Sequence, residues 1–198
     1  MSRGILAIMQ DGPTQTVDEY VAIENFSNLK HEYYDGQIRA MGGGTPEHAR
    51  LGAAIVRHLG NQLEGKPCTV YSSDLRVRIT ATGLITYPDV SVGCGKMQMD
   101  ALDPLAQVNP TVLIEVTSKS TEKYDRTAKY EHYKLIPKLR EYVIISHRER
   151  MIEVFRRADD GTWSLAERGG DGDQISLTSI GCTIDIAAVY RNPHATSS

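Results

Sequence analysis

The chain has 198 residues, 40% hydrophobic and 24% charged, with a formal net charge of −3 and a pI near 6.1. That length suits one well-cored domain, and the acidic balance excludes a protein that holds nucleic acid through overall basicity. No apolar run approaches membrane-span length, the weak apolar stretch at 5–9 is too short for a signal segment, and Cys68, Cys94 and Cys182 form no C-x-x-C pair. The expectation is a cytoplasmic protein with three reduced thiols and no membrane partner.

Thr16 is placed to cap a helix running to about residue 26, with Val17, Tyr20 and Val21 at helical spacing. Residues 31–41 read as a hairpin about Asp35-Gly36, after which Gly42-Gly43-Gly44 breaks regular structure. Thr45 or Pro46 opens a long helix with the apolar face Leu51, Ala54, Ile55, Leu59 and Leu63, ended by Gly65-Lys66-Pro67. Strand-like runs follow at 69–72, 75–79 and 84–92; a polar stretch at 95–110 then precedes a strand at 111–117. Ser120 or Thr121 can cap a helix over about 122–135, and further strands are expected at 141–145, 151–156 and 163–167. Without repeats or low-complexity linkers, a single domain over 1–198 is expected, with flexible ends at about 1–12 and 192–198. The order of elements indicates an α/β (α+β) fold with one mixed β-sheet flanked by helices.

Two of these runs carry a carboxylate: Asp89 in Tyr87-Pro88-Asp89-Val90-Ser91-Val92, and Glu115 in Val112-Leu113-Ile114-Glu115-Val116-Thr117-Ser118. A carboxylate inside an apolar strand is costly unless it is paired, hydrogen-bonded or bound to metal. On neighbouring strands the two acids could share one Mg²⁺, which takes one or two carboxylates together with waters and substrate phosphates. The competing reading has Asp89 ending a strand or binding backbone amides, and Glu115 pairing with a basic neighbour. No phosphate-loop motif and no G-x-S-x-G elbow is present.

The motifs also fall in a familiar order. Tyr33-x-Asp35-Gly36, Pro46-Glu47-His48, Pro88-Asp89 and Leu113-Ile114-Glu115-Val116-x-Ser118-x-Ser120-Thr121 are followed by Tyr124-Asp125-x-x-x-Lys129-x-x-x-Tyr133 and Arg140-Glu141-Tyr142. This order resembles the Uma-two family of restriction-endonuclease-like proteins, part of the PD-(D/E)XK nuclease superfamily, over about 16–190. The resemblance implies a restriction-endonuclease-like core, DNA as substrate, Mg²⁺ (or Mn²⁺) as cofactor and a homodimer. It makes Asp89 the acid of the PD element and Glu115 that of the (D/E)XK element, with Glu32 completing the metal shell and His48 close by.

The lysine departs from the pattern, because Thr117 stands two residues after Glu115. Lys119 would share a face with Glu115 in an extended strand, but it falls where the strand gives way. Lys129, on the following helix and one helical step from Asp125, is the alternative the family offers. Asp74 is a weaker acidic candidate, and Tyr124, Tyr130 and Tyr133 read as packing residues. Two functions are therefore expected to compete. One is a metal-dependent DNA endonuclease; the other is a catalytically inactive nuclease-like fold serving as a binding or assembly module.

Overall fold

The structure, a computed structural model, describes residues 14–192. The expected flexible ends lie outside these residues, apart from position 192, as does the apolar stretch at 5–9. Helix α1 (Val17–Phe26) begins in a capping box: the Thr16 hydroxyl accepts from the Glu19 N–H, and the Glu19 carboxylate accepts from the Thr16 N–H. Strands β1 (His31–Tyr34) and β2 (Gln37–Ala40) form the expected hairpin. Asp35 and Gly36 both take positive φ, 50° and 73°, as a two-residue turn of this hand requires. Helix α2 (Pro46–Leu63) is capped by the Thr45 side chain, and its stripe Leu51, Ile55, Leu59 and Leu63 is buried.

The run expected as one strand over 84–92 is divided. It forms β5 (Leu84–Thr86) and β6 (Val90–Cys94), which belong to different sheets, with Tyr87-Pro88-Asp89 crossing between them. Pro88 has no N–H to give a ladder, so the chain can leave one sheet there and enter the next. Strands β3 (Cys68–Ser72), β4 (Arg76–Ile79) and β7 (Ala106–Gln107) complete the first half of the sheet framework. In the second half, β8 (Val112–Val116) is followed by β9 (Glu141–Ile145), β10 (Ile152–Arg157) and β11 (Trp163–Gly169). The central sheet is mixed, ordered β11-β10-β9-β8-β6-β3, with β8 and β9 parallel. A second sheet runs β2-β1-β5-β4-β7 and a third has two strands, so the single sheet expected from sequence is realised as three among the described residues. Beyond β11, a hairpin of β12 (Gln174–Leu177) and β13 (Cys182–Asp185) leads into α5 (Ile186–Tyr190); none of these three was expected.

Both faces of β8 are covered. Val112, Ile114 and Val116 pack into the core formed with α2, α5 and the β12–β13 hairpin, whereas Leu113 joins Tyr133, Tyr142, Val77, Ile79 and Leu84 on the other side. This accounts for the nearly continuous apolar run, since a strand buried on both faces shows no alternation. Glu115 lies on the second face with Leu113.

The helix expected over 122–135 is built in three parts: α3 (Glu122–Tyr124), a π turn (Asp125–Lys129) and α4 (Tyr130–Tyr133). Residues four apart on an α-helix precess about 40° per step. The wider π turn takes up that drift, and Asp125, Lys129 and Tyr133 are all buried.

The expectation of three reduced thiols is corrected. Cys68 and Cys94 are disulfide-bonded, and Cys182 alone is free and buried. The two half-cystines face each other across the antiparallel β3–β6 pair, with Cα atoms 4.0 Å apart. A sequence separation of 26 gives no hint of that register. Among the described residues, no helix is long and apolar enough to cross a membrane.

Candidate functional site

A cleft of about 450 Å³ opens between the β1–β2 hairpin, the N-terminus of α2, the ends of β6 and β8, and the helix at 122–133. Its lining includes Glu32, His48, Asp89, Glu115, Asp125 and Lys129. The β6–β8 register Val90↔Ile114, carried one step outward, sets Asp89 opposite Glu115. Asp89 Oδ2 accepts from the Val116 N–H at 2.8 Å and lies 3.1 Å from His48 Nε2. The hydrogen bond to Asp89 is the largest influence on His48; it outweighs burial and raises the imidazole above its ordinary value. Gly44 makes room for this ring, since a Cβ at that position would stand 2.5 Å from His48 Nδ1.

Glu115 Oε1 accepts from the Tyr133 hydroxyl at 2.7 Å and lies 2.8 Å from Lys129 Nζ. The ammonium is also 3.7 Å from Glu32 and 3.9 Å from Asp125. Burial works against the charged lysine, but the three carboxylates together prevail and raise its pKa. Burial is likewise the main influence on Glu115, which is pushed up to about 8; Lys129 opposes this, while Asp89 and Asp125 add to it. Asp125 is raised for the same first reason. Glu32 is held from the other side by a hydrogen bond from the Thr86 hydroxyl on β5.

Among the described residues, no group of three or more His, Cys, Asp or Glu forms a ready-made metal cage. The donor chemistry still fits a hard divalent cation held by two carboxylates and water. The bonds of Asp89 go to Oδ2 and those of Glu115 to Oε1, which leaves one oxygen on each acid for a cation at the cleft wall.

The family model described as "Putative restriction endonuclease" (Uma2) matches residues 17–187. The chain belongs to the Uma2 family. An uncharacterized protein of Synechocystis sp. (strain PCC 6803) is 35% identical over 179 residues, which is 90% of this chain and 93% of that one. A second uncharacterized protein of the same strain is 29% identical over 163 residues, covering 82% and 92%. Among solved structures, one titled as a putative nuclease belonging to DUF820 from Anabaena variabilis aligns with a TM-score of 0.70. It shares 16% identity and covers 88% of this chain and 97% of that one. At that identity the likeness establishes a shared fold.

Within this Uma2 chain, the structure brings Glu32, His48, Asp89, Glu115 and Lys129 to one cleft. Two expected residues stand apart. Lys119 is exposed in the turn after β8, which ends at Val116. Asp74 pairs with Lys30 at 2.6 Å, with its side chain 81% exposed, on the β3–β4 turn. Thr117, at the position of the missing lysine, is buried and donates to the Ile145 carbonyl. Sequence reasoning assigned Tyr133 to packing, but its hydroxyl also serves Glu115. Gly44 and Arg39 were not singled out. The glycine triplet was the only signal for Gly44, and Arg39 gave none.

Proposed function

We propose that the chain is a divalent-metal-dependent endonuclease of PD-(D/E)XK type that hydrolyses DNA phosphodiester bonds. The observation that carries this reading is the placement of Asp89 opposite Glu115 with the Lys129 ammonium 2.8 Å from the second acid. Asp89 and Glu115 would hold Mg²⁺ or Mn²⁺, with Glu32 completing the shell. The bound ion would supply Lewis-acid stabilisation of the phosphate and a water of lowered pKa. Lys129, kept charged by its three carboxylates, orients the attacking water and offsets charge developing on phosphorus. Tyr133 and the Val116 N–H fix the two carboxylates, so little reorganisation accompanies reaction. His48 buttresses Asp89 and offers a proton to the departing oxygen. Purified protein should cleave plasmid DNA with Mg²⁺ or Mn²⁺ and lose that activity in Asp89→Asn and Glu115→Gln. Undiminished cleavage by both variants refutes the assignment.

A second reading is favoured by the way Lys129 already neutralises Glu115: a nuclease-like fold that binds nucleic acid without cutting it. Calorimetry separates the two, because only the endonuclease requires Mn²⁺ binding that depends on Asp89 and Glu115. The first reading includes a homodimer formed through β11, the outermost strand of the central sheet, where Leu165 is exposed. Sedimentation of wild type and Leu165→Glu tests it.

A further inference from the structure

The cleft floor carries four carboxylates, Glu32, Asp89, Glu115 and Asp125, and such a floor repels a polyanion. Among the described residues, three in the cleft can carry positive charge: Arg39, His48 and Lys129. Two are committed, His48 to Asp89 and Lys129 to Glu115. Arg39 is in a different position. It lies on β2 directly opposite Glu32 in the hairpin, so both side chains leave the same face. A cross-strand Glu–Arg pair would ordinarily close on itself. Here Glu32 is drawn to Thr86 and towards Lys129, and Arg39 makes no ion pair among the described residues. Arg39 is exposed on the cleft wall, and the open backbone at Gly42 and Gly43 leaves space beyond it.

We propose that Arg39 is a substrate-binding residue whose guanidinium grips a backbone phosphate of the polynucleotide in this cleft, beside the bond that is cut. This rests on the nuclease reading above. The chemistry suits the residue: arginine presents a planar fork of donors that engages two non-bridging phosphate oxygens at once and stays charged at any working pH. The inward turn of Glu32 therefore has two effects. It helps hold Lys129 and leaves the Arg39 guanidinium on the hairpin face open to substrate.

The test uses steady-state cleavage of a short fluorescein-labelled DNA duplex with Mn²⁺, together with anisotropy binding across a salt series, for wild type, Arg39→Ala, Arg39→Gln and Arg39→Lys. Arg39→Ala and Arg39→Gln should raise KM about tenfold with kcat within about twofold, and reduce the slope of log affinity against log salt by about one. Arg39→Lys should keep the salt slope and recover only part of KM, because the ammonium is a point charge. If wild type cuts and the Ala and Gln variants keep its KM and salt slope, this inference falls while the nuclease reading stands. A fall in kcat at unchanged KM overturns it equally. Wild type that neither binds nor cuts the duplex overturns both.

Discussion

Replacing Lys129 with methionine keeps most of the buried stem and removes the ammonium, its charge and its donors together, so it isolates that group's contribution to the acidic cluster. Glu115 then loses its 2.8 Å partner and retains the Tyr133 hydroxyl alone. A hydrogen bond to a charged group contributes about 1.5–3 kcal/mol, which sets the expected loss near neutral pH. The pH dependence follows from Glu115, whose folded value is raised from 4.5 to about 8. Its contribution to stability is fully present below the unfolded value and is lost as pH rises towards the folded one. Lys129 opposes the rise, so the variant's folded value is higher still, and its loss continues after that of wild type has stopped. As pH rises into the alkaline range the gap between the two proteins should therefore widen. Once Glu115 is ionised in both proteins it should approach about 3–5 kcal/mol, the range for breaking a buried ion pair. In melting temperature, a loss of about 1.5–3 kcal/mol is roughly 3–12 °C for a chain of this size. Urea unfolding followed by circular dichroism and by the single tryptophan, Trp163, measures it. The double variant Lys129→Met/Glu115→Gln, with no charge left to titrate at either position, should lose the widening. A gap that stays flat from pH 5 to pH 9 would refute the coupling of Glu115 to Lys129.

His48 in the cleft and His132 on α4, hydrogen-bonded to Thr82, should titrate in opposite directions. His48 is raised by its bond to Asp89, whereas His132 is lowered by burial against the opposing influence of Glu32. Imidazole NMR should place them on either side of 6.5, and Asp89→Asn should bring His48 down; two coincident titrations would contradict the geometry. The stability His48 gains from this bond is present below about 6.5 and lost as pH climbs through its raised folded value. Gly44→Ala should push the His48 ring off Asp89, seen as a lowered His48 value and reduced cleavage, with little change in melting temperature. Cys68→Ser/Cys94→Ser should cost about 3.5 kcal/mol from loop-closure entropy, and a reductant should lower the wild-type melting temperature while leaving the variant unchanged.

The hairpin, α2 and the buried strand β8 were legible because each is specified locally. Asp35-Gly36 suits left-handed turn positions, Thr45-Pro46 caps a helix, and Leu51, Ile55, Leu59 and Leu63 form a stripe at helical spacing. The acids Asp89 and Glu115 were legible for a related reason: a charge in an apolar run requires a partner wherever the run ends up. The β12–β13 hairpin is hard to read because each strand is only four residues long, so its alternation of buried and more exposed positions spans just two residues a face.

What the sequence could not supply were relations between distant residues. The division of 84–92 between two sheets, the Cys68–Cys94 register and the reach of Lys129 back to Glu115 depend on how segments pack. The π turn is decided in the same way: residues 122–133 have ordinary helical spacing, and burial of Asp125, Lys129 and Tyr133 against the sheet face accompanies the extra width. Sequence by itself determined which side chains needed partners, because desolvation cost is a property of the residue and its apolar surroundings. Only the tertiary structure decided which partners they met, because a carboxylate accepts any cation or donor that the fold carries within about 3 Å.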